Sequence, residues 1–198
     1  MSFNPAAATG LAIVASAPVE GLQTLVFRKV DLGSNTFLKD TVTVSSGGIG
    51  NPNRIADAAS AGAALAAQEF APGDYALVEL TQPGSVGYAT TMSTLCLGAP
   101  IVSPVFRIEA GRISIVRVDV FSAALTNRSR NALKSDADML RTANAALKNY
   151  PGVSSQATLN EPTARITWPR KRGSAMETMM RGCAEPDQFT RSGATKPN

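Results

Sequence analysis

The sequence predicts a mainly β fold: an antiparallel β-sandwich carrying one C-terminal amphipathic helix and an extended basic tail. Three observations lead there. Short apolar runs recur between Gly, Pro, Asn and Asp turn residues. One segment, Asn127 to Lys148, has helical periodicity. Beyond Pro169 the composition turns polar and basic. The 198 residues suit one domain plus a tail, with 1–8 as a flexible lead-in, 9–169 as the sandwich and 170–198 as a weakly ordered tail.

The strands follow in order. Leu11–Ala15 is the first apolar run, stopped near Pro18, and Leu22–Val30 is the second. The turn Asp31–Asn35 leads into Phe37–Val44, where Thr and Val alternate and favour strand. Ser45 to Ala67 opens flexibly with Gly47-Gly48-Ile49-Gly50 and becomes Ala-rich. Its later part, Ile55–Ala67, suits either a short helix or an irregular cover with a strand beginning near Ala64. Ala64–Phe70 and Tyr75–Leu80 flank Ala71-Pro72-Gly73-Asp74, whose Pro and Gly suit a type II turn and predict a hairpin. A further strand fits Tyr88–Cys96.

A second hairpin is expected where Val105–Glu109 and Arg112–Phe121 flank Ala110-Gly111, with Glu109 facing Arg112. The apolar face of its second strand shifts from Ile113 and Ile115 to Val116 and Val118. That predicts a β-bulge or burial on both faces. In the helix, Leu133, Leu140 and Leu147 repeat every seven residues with Ala137 between the first two. This narrow stripe suits docking on the sheet better than partner binding. Asn149-Tyr150-Pro151-Gly152 ends it, and Ala164–Trp168 supplies a final strand.

Composition narrows the chemistry. The chain has no histidine, which removes Ser-His-Asp and Cys-His catalysis and His metal ligation. The Gly-rich stretch at 47–50 lacks the Lys-[Ser/Thr] and the strand–turn–helix context of a phosphate loop. The strand-borne carboxylates Glu69, Asp74, Glu79, Glu109 and Asp119 show no spacing that singles out a catalytic pair. The expectation is therefore a non-enzyme without cofactors or metal.

Two features remain as candidate sites. Cys96 and Cys183 form either a disulfide that ties the tail to the body or two unrelated thiols. The net charge is +4, and the residues from Arg165 onward carry all of the excess. Trp168 with Arg170, Lys171 and Arg172 is a basic–aromatic patch, read as a solvated tail or as a contact for a partner or an anionic membrane surface. One aromatic is too few for a single-strand nucleic-acid platform, so nucleic acid is not expected.

Two segments carry a family resemblance. FAPGDYALVEL (Phe70–Leu80) resembles the P-G-x-Y hairpin of transthyretin-like and carboxypeptidase-regulatory-like sandwiches. PVFRIEAGRISIVRVDVF (Pro104–Phe121) resembles a hairpin of small bacterial envelope lipoproteins of unknown function, in which a helix commonly follows. Ile115–Val118 replaces the usual aromatic and Gly after that turn, and neither a lipobox nor a signal peptide is visible in the sequence. The resemblance implies a non-enzymatic binding or structural accessory module of the bacterial cell envelope, periplasmic or outer-membrane-associated once a signal peptide is removed, with protein partners or self-assembly. The alternative is a structural subunit of a secretion apparatus, filament or phage particle, cytoplasmic or particle-associated, whose extended termini reach neighbours.

Overall fold

A computed structural model describes residues 8–17, 22–47, 54–56, 63–86, 89–118, 135–150, 153, 156–169, 183 and 186–192. It is mainly β, with two sheets and, among the described residues, a single helix, which is the fold class expected from the sequence. The chain divides into two compact units. The first comprises Met1–Gln23, Val44–Pro72 and Ile108–Glu161, and the second Thr24–Thr43, Gly73–Arg107 and Pro162–Asn198.

The first unit holds a five-stranded sheet. Its strands are β1 (Gly10–Ser16), β4 (Arg54–Ala56), β5 (Ala64–Phe70), β9 (Ile113–Arg117) and β10 (Thr158–Leu159), in the order β10-β9-β1-β5-β4. β1 runs antiparallel to β5 and parallel to β9, and β9 runs parallel to β10. Parallel neighbours need a crossover, and α1 (Asp136–Leu147) lies in the one between β9 and β10.

α1 is held at its start by Ser135, whose hydroxyl accepts the Asp138 N–H at 3.2 Å. Asp136 and Asp138 place negative charge in its first turn, where the helix dipole favours it. Asp136 also pairs with Arg117 of β9. Met139, Ala143 and Leu147 interlock with Leu11, Ile13 and Ala15 of β1, Leu65 and Ala67 of β5, and Ile113 and Ile115 of β9. Asn144 fastens the returning chain, accepting the Ala157 N–H through Oδ1 at 2.8 Å. The opposite side of the sheet is buried as well, through Ala12, Val14, Ala66 and Val116. A strand covered on both faces reads as an unbroken apolar run, which explains both Gly10–Ser16 and the face shift at Ile115/Val116.

The second unit holds a seven-stranded sheet of β2 (Leu22–Asp31), β3 (Thr36–Gly47), β6 (Gly73–Val86), β7 (Ala89–Cys96), β8 (Ser103–Ile108), β11 (Ala164–Thr167) and β12 (Thr190–Arg191). The order is β12-β11-β8-β6-β2-β3, with β7 also paired to β6. β2 and β3 are joined by the turn at Asp31–Asn35. There Asp31 accepts the Gly33 N–H and the Ser34 hydroxyl, and Asn35 takes a positive φ of 56°. β6 and β7 pair in register from Glu79↔Cys96 to Val86↔Ala89.

Several expectations are corrected here. Neither predicted hairpin exists. β5 pairs with β1 and β4, whereas β6 pairs with β2, β7 and β8, so Ala71-Pro72 hands the chain from one sheet to the other. Ala110-Gly111 does the same between β8 and β9, with Gly111 at φ 71°. The Glu109–Arg112 ion pair forms, at 2.8 Å, across this corner. A turn composed of Pro and Gly reverses or redirects a chain equally well, and the neighbouring strands decide which. Gly73 is needed for a close approach: a Cβ there would lie 2.4 Å from Lys29 Cε.

The helix is also not C-terminal, because among the described residues three strands follow it. Its buried stripe is Met139, Ala143 and Leu147, with Leu140 only partly buried and Ala137 exposed. Leu133 and the rest of 127–134 lie outside the described residues. Of Ile55–Ala67, the part from Ala64 is strand and Arg54–Ala56 is β4.

Candidate functional site

Within the tail that the sequence predicts to be weakly ordered, Cys183 and residues 186–192 pair with strands of the second unit, and the rest of 170–198 lies outside the described residues. Cys183 is joined to Cys96 at the end of β7 by a disulfide with Cα atoms 5.4 Å apart. Opposite Cys96 in register is Glu79 of β6. Its Oε2 accepts the backbone N–H of Cys183 at 2.9 Å, so the covalent tie and a charge-assisted hydrogen bond act on the same residue.

Beyond Cys183 the segment is held by backbone pairing on two sides. The Phe37 N–H donates to the Asp187 carbonyl at 3.0 Å and the Phe189 N–H to the Asn35 carbonyl at 3.1 Å, around a Thr36↔Gln188 bridge to β3. Two residues later β12 pairs antiparallel with β11, and the Ser192 N–H donates to the Arg165 carbonyl at 2.9 Å. β3 and β11–β12 end the strand order of the seven-stranded sheet. One short segment therefore links both of its ends and covers backbone groups that an edge leaves unpaired.

Side chains complete the fastening. Arg28 of β2 is 5% exposed. It donates through Nε to the Leu38 carbonyl at 2.7 Å and through one terminal nitrogen to the Pro186 carbonyl at 2.8 Å. Its guanidinium stands 5.5 Å from the centre of the Phe37 ring. Phe37 meets Trp168 edge-on at 5.1 Å and Phe189 edge-on at 5.3 Å. Outside this cluster Arg191 Nε donates to Asn35 Oδ1 at 3.0 Å.

Trp168 is therefore not part of an exposed basic–aromatic patch. It is 3% exposed, its ring packs on Phe37, and its carbonyl accepts the Ala99 N–H at 2.7 Å. An indole carries too much apolar area to stay in water when a strand end can turn it inward. Arg170, Lys171 and Arg172 lie outside the described residues.

The carboxylates are dispersed into separate roles. Asp74 receives both Nε and Nη2 of Arg107, at 3.0 and 2.8 Å. Glu69 accepts the Thr9 hydroxyl at 3.5 Å, Glu109 pairs with Arg112, and Asp119 lies outside the described residues. Among the described residues no group of three His, Cys, Asp or Glu side chains is placed to hold a metal ion.

Two ionisable groups are shifted. Hydrogen bonds from the Ser34 hydroxyl, then from the Gly33 and Ser34 amides, hold the Asp31 carboxyl below its ordinary value. Burial, and secondarily the charge of Asp40, pushes the Tyr75 phenol up.

Arg28, Phe37 and Phe189 are site residues that sequence reasoning passed over, and Glu79 enters that reasoning only as a candidate catalytic carboxylate. Arg28 left a trace: a strongly polar residue inside the apolar run LQTLVFRKV, which is costly to bury unless partners await it. The other three have no local signal, since their partners are far away in sequence. No family model, curated protein or solved structure matches the chain.

Proposed function

We propose that the chain is a non-enzymatic binding or structural accessory module of a bacterial cell envelope, folded in an oxidising compartment. The disulfide between Cys96 and Cys183 carries this reading. Such bonds persist where no thiol pool reduces them, and they are rare in cytosolic proteins of mesophiles. It joins two cysteines separated by 87 positions in the sequence. A complete lack of histidine and the sequence resemblance of Pro104–Phe121 to a segment of small bacterial envelope lipoproteins support the same reading, although that stretch joins two sheets and is not a hairpin.

The test is fractionation of a bacterial host expressing the gene from its native start, with thiols alkylated at lysis and the protein run without reductant. Recovery in the periplasmic or membrane fraction, with no alkylated cysteine, is expected. Recovery in the cytosol with both cysteines alkylated overturns the proposal.

A further inference from the structure

We infer that the Cys96–Cys183 bond is a thiol-exchange site whose reduction by a dithiol releases residues 183–192 and opens the seven-stranded sheet, while the strands beneath keep their structure. The inference concerns the bond itself and stands apart from the compartment proposed above.

The non-covalent hold on this segment is short. Among the described residues it has a two-residue strand on β11 continued by the Ser192 amide, a single bridge at Thr36, a hydrogen bond from Arg28 to Pro186, one from Cys183 to Glu79, one from Arg191 to Asn35 and the Phe189 ring. A pairing of that length is marginal in water without support. The disulfide supplies the support by holding the start of the segment beside its acceptors, which raises its effective concentration there. None of these contacts contributes to the cluster of Leu11, Ile13, Leu65, Ile115 and Met139.

Both cysteines are half-buried, and exchange begins when a small dithiol reaches one of the two sulfurs. Its thiolate attacks one sulfur of the bond, forming a mixed disulfide and freeing the other as a thiolate. The reductant's second thiol then displaces the first protein sulfur. The protein gains two electrons and two protons, and the dithiol is oxidised to its disulfide. Departure of the segment uncovers the backbone of Asn35, of Phe37 on β3 and of Arg165–Thr167 on β11, together with the face of the Phe37 ring that Phe189 covers. Unpaired strand backbone beside apolar rings is the form in which an extended segment of another chain is accepted.

The experiment is residue-resolved amide exchange on the full chain, oxidised and after treatment with dithiothreitol. The Phe37, Phe189 and Ser192 amides, all bonded between segment and sheet, are expected to exchange about a hundredfold faster after reduction. Those of Ile13, Leu77 and Ile115 should keep their rates. The double variant Cys96→Ser, Cys183→Ser should reproduce the reduced pattern without reductant. Unchanged Phe37, Phe189 and Ser192 rates overturn the inference, because the segment then stays in place unaided. Loss of protection at Leu77, or a double variant that does not fold, also overturns it by making the bond a staple for the whole unit.

Discussion

In the first unit, the cluster on the helix side of the sheet contains Leu, Ile, Ala and Met and no aromatic ring. Both cysteines lie in the other unit. Burial in the first unit's cluster is contributed by aliphatic side chains in many small increments. The second unit buries Phe27, Phe37, Tyr75, Phe106, Trp168 and Phe189. It adds a guanidinium, a carboxylate and a disulfide to hold its last segment in place. The contrast teaches that a sheet with a helix on its face is held mainly by buried area, with polar ties only at the ends of the helix, whereas a sheet linked end to end by its own terminus adds a run of directional ties and a covalent one.

Substitutions can break this contrast. The largest effect is expected from Trp168→Ala, a loss of about 4 kcal/mol in chemical denaturation. It should be accompanied by faster exchange at Phe37 and Phe189, since their rings lean on one another. Met139→Ala is expected to cost about 3 kcal/mol and to leave those two amides untouched. Equal loosening of the C-terminal segment by both variants would remove the distinction between the two kinds of core. Ser135→Ala, which takes away the helix cap, should cost about 1 kcal/mol in the same assay.

Two pH effects sharpen the picture further. The Tyr75 pKa is raised above 10.0 in the folded state. Its contribution is therefore complete below that value and is lost as pH rises through the folded pKa. Tyr75→Phe should flatten the alkaline fall in melting temperature. The Asp31 pKa is lowered below 3.8, so its contribution is present above 3.8 and is lost as pH falls through the folded value. Asp31 is exposed, and the effect of Asp31→Asn on the acid limb of the melting curve should be the smallest of the set.

Much of the strand content was legible in the chain. The runs Leu11–Ala15, Leu22–Val30 and Phe37–Val44 lie within β1, β2 and β3, because apolar periodicity and β-branched residues act locally. The turn at Asp31–Asn35 was legible for the same reason: Asp31 bonds residues two and three positions away. The pairing of those strands was not. Pro72-Gly73 and Ala110-Gly111 have hairpin composition, yet each joins strands of different sheets. The candidate site divides similarly. The two cysteines are conspicuous in any reading of the composition, whereas Glu79 and Arg28 acquire their meaning from Cys183 and Pro186, each over a hundred positions away.

By itself, then, the sequence determined the β character, the helix near Asp136, the absence of histidine chemistry and the presence of two cysteines, whose pairing it left open. These follow from residue type and short-range spacing. Tertiary structure alone decided which strands are neighbours, which face of α1 is buried, and that Trp168 turns inward. It also decided that the C-terminal segment links the ends of a sheet. Such choices depend on which distant surfaces bury the most apolar area and satisfy the most backbone groups together, a comparison that no local stretch of the chain contains.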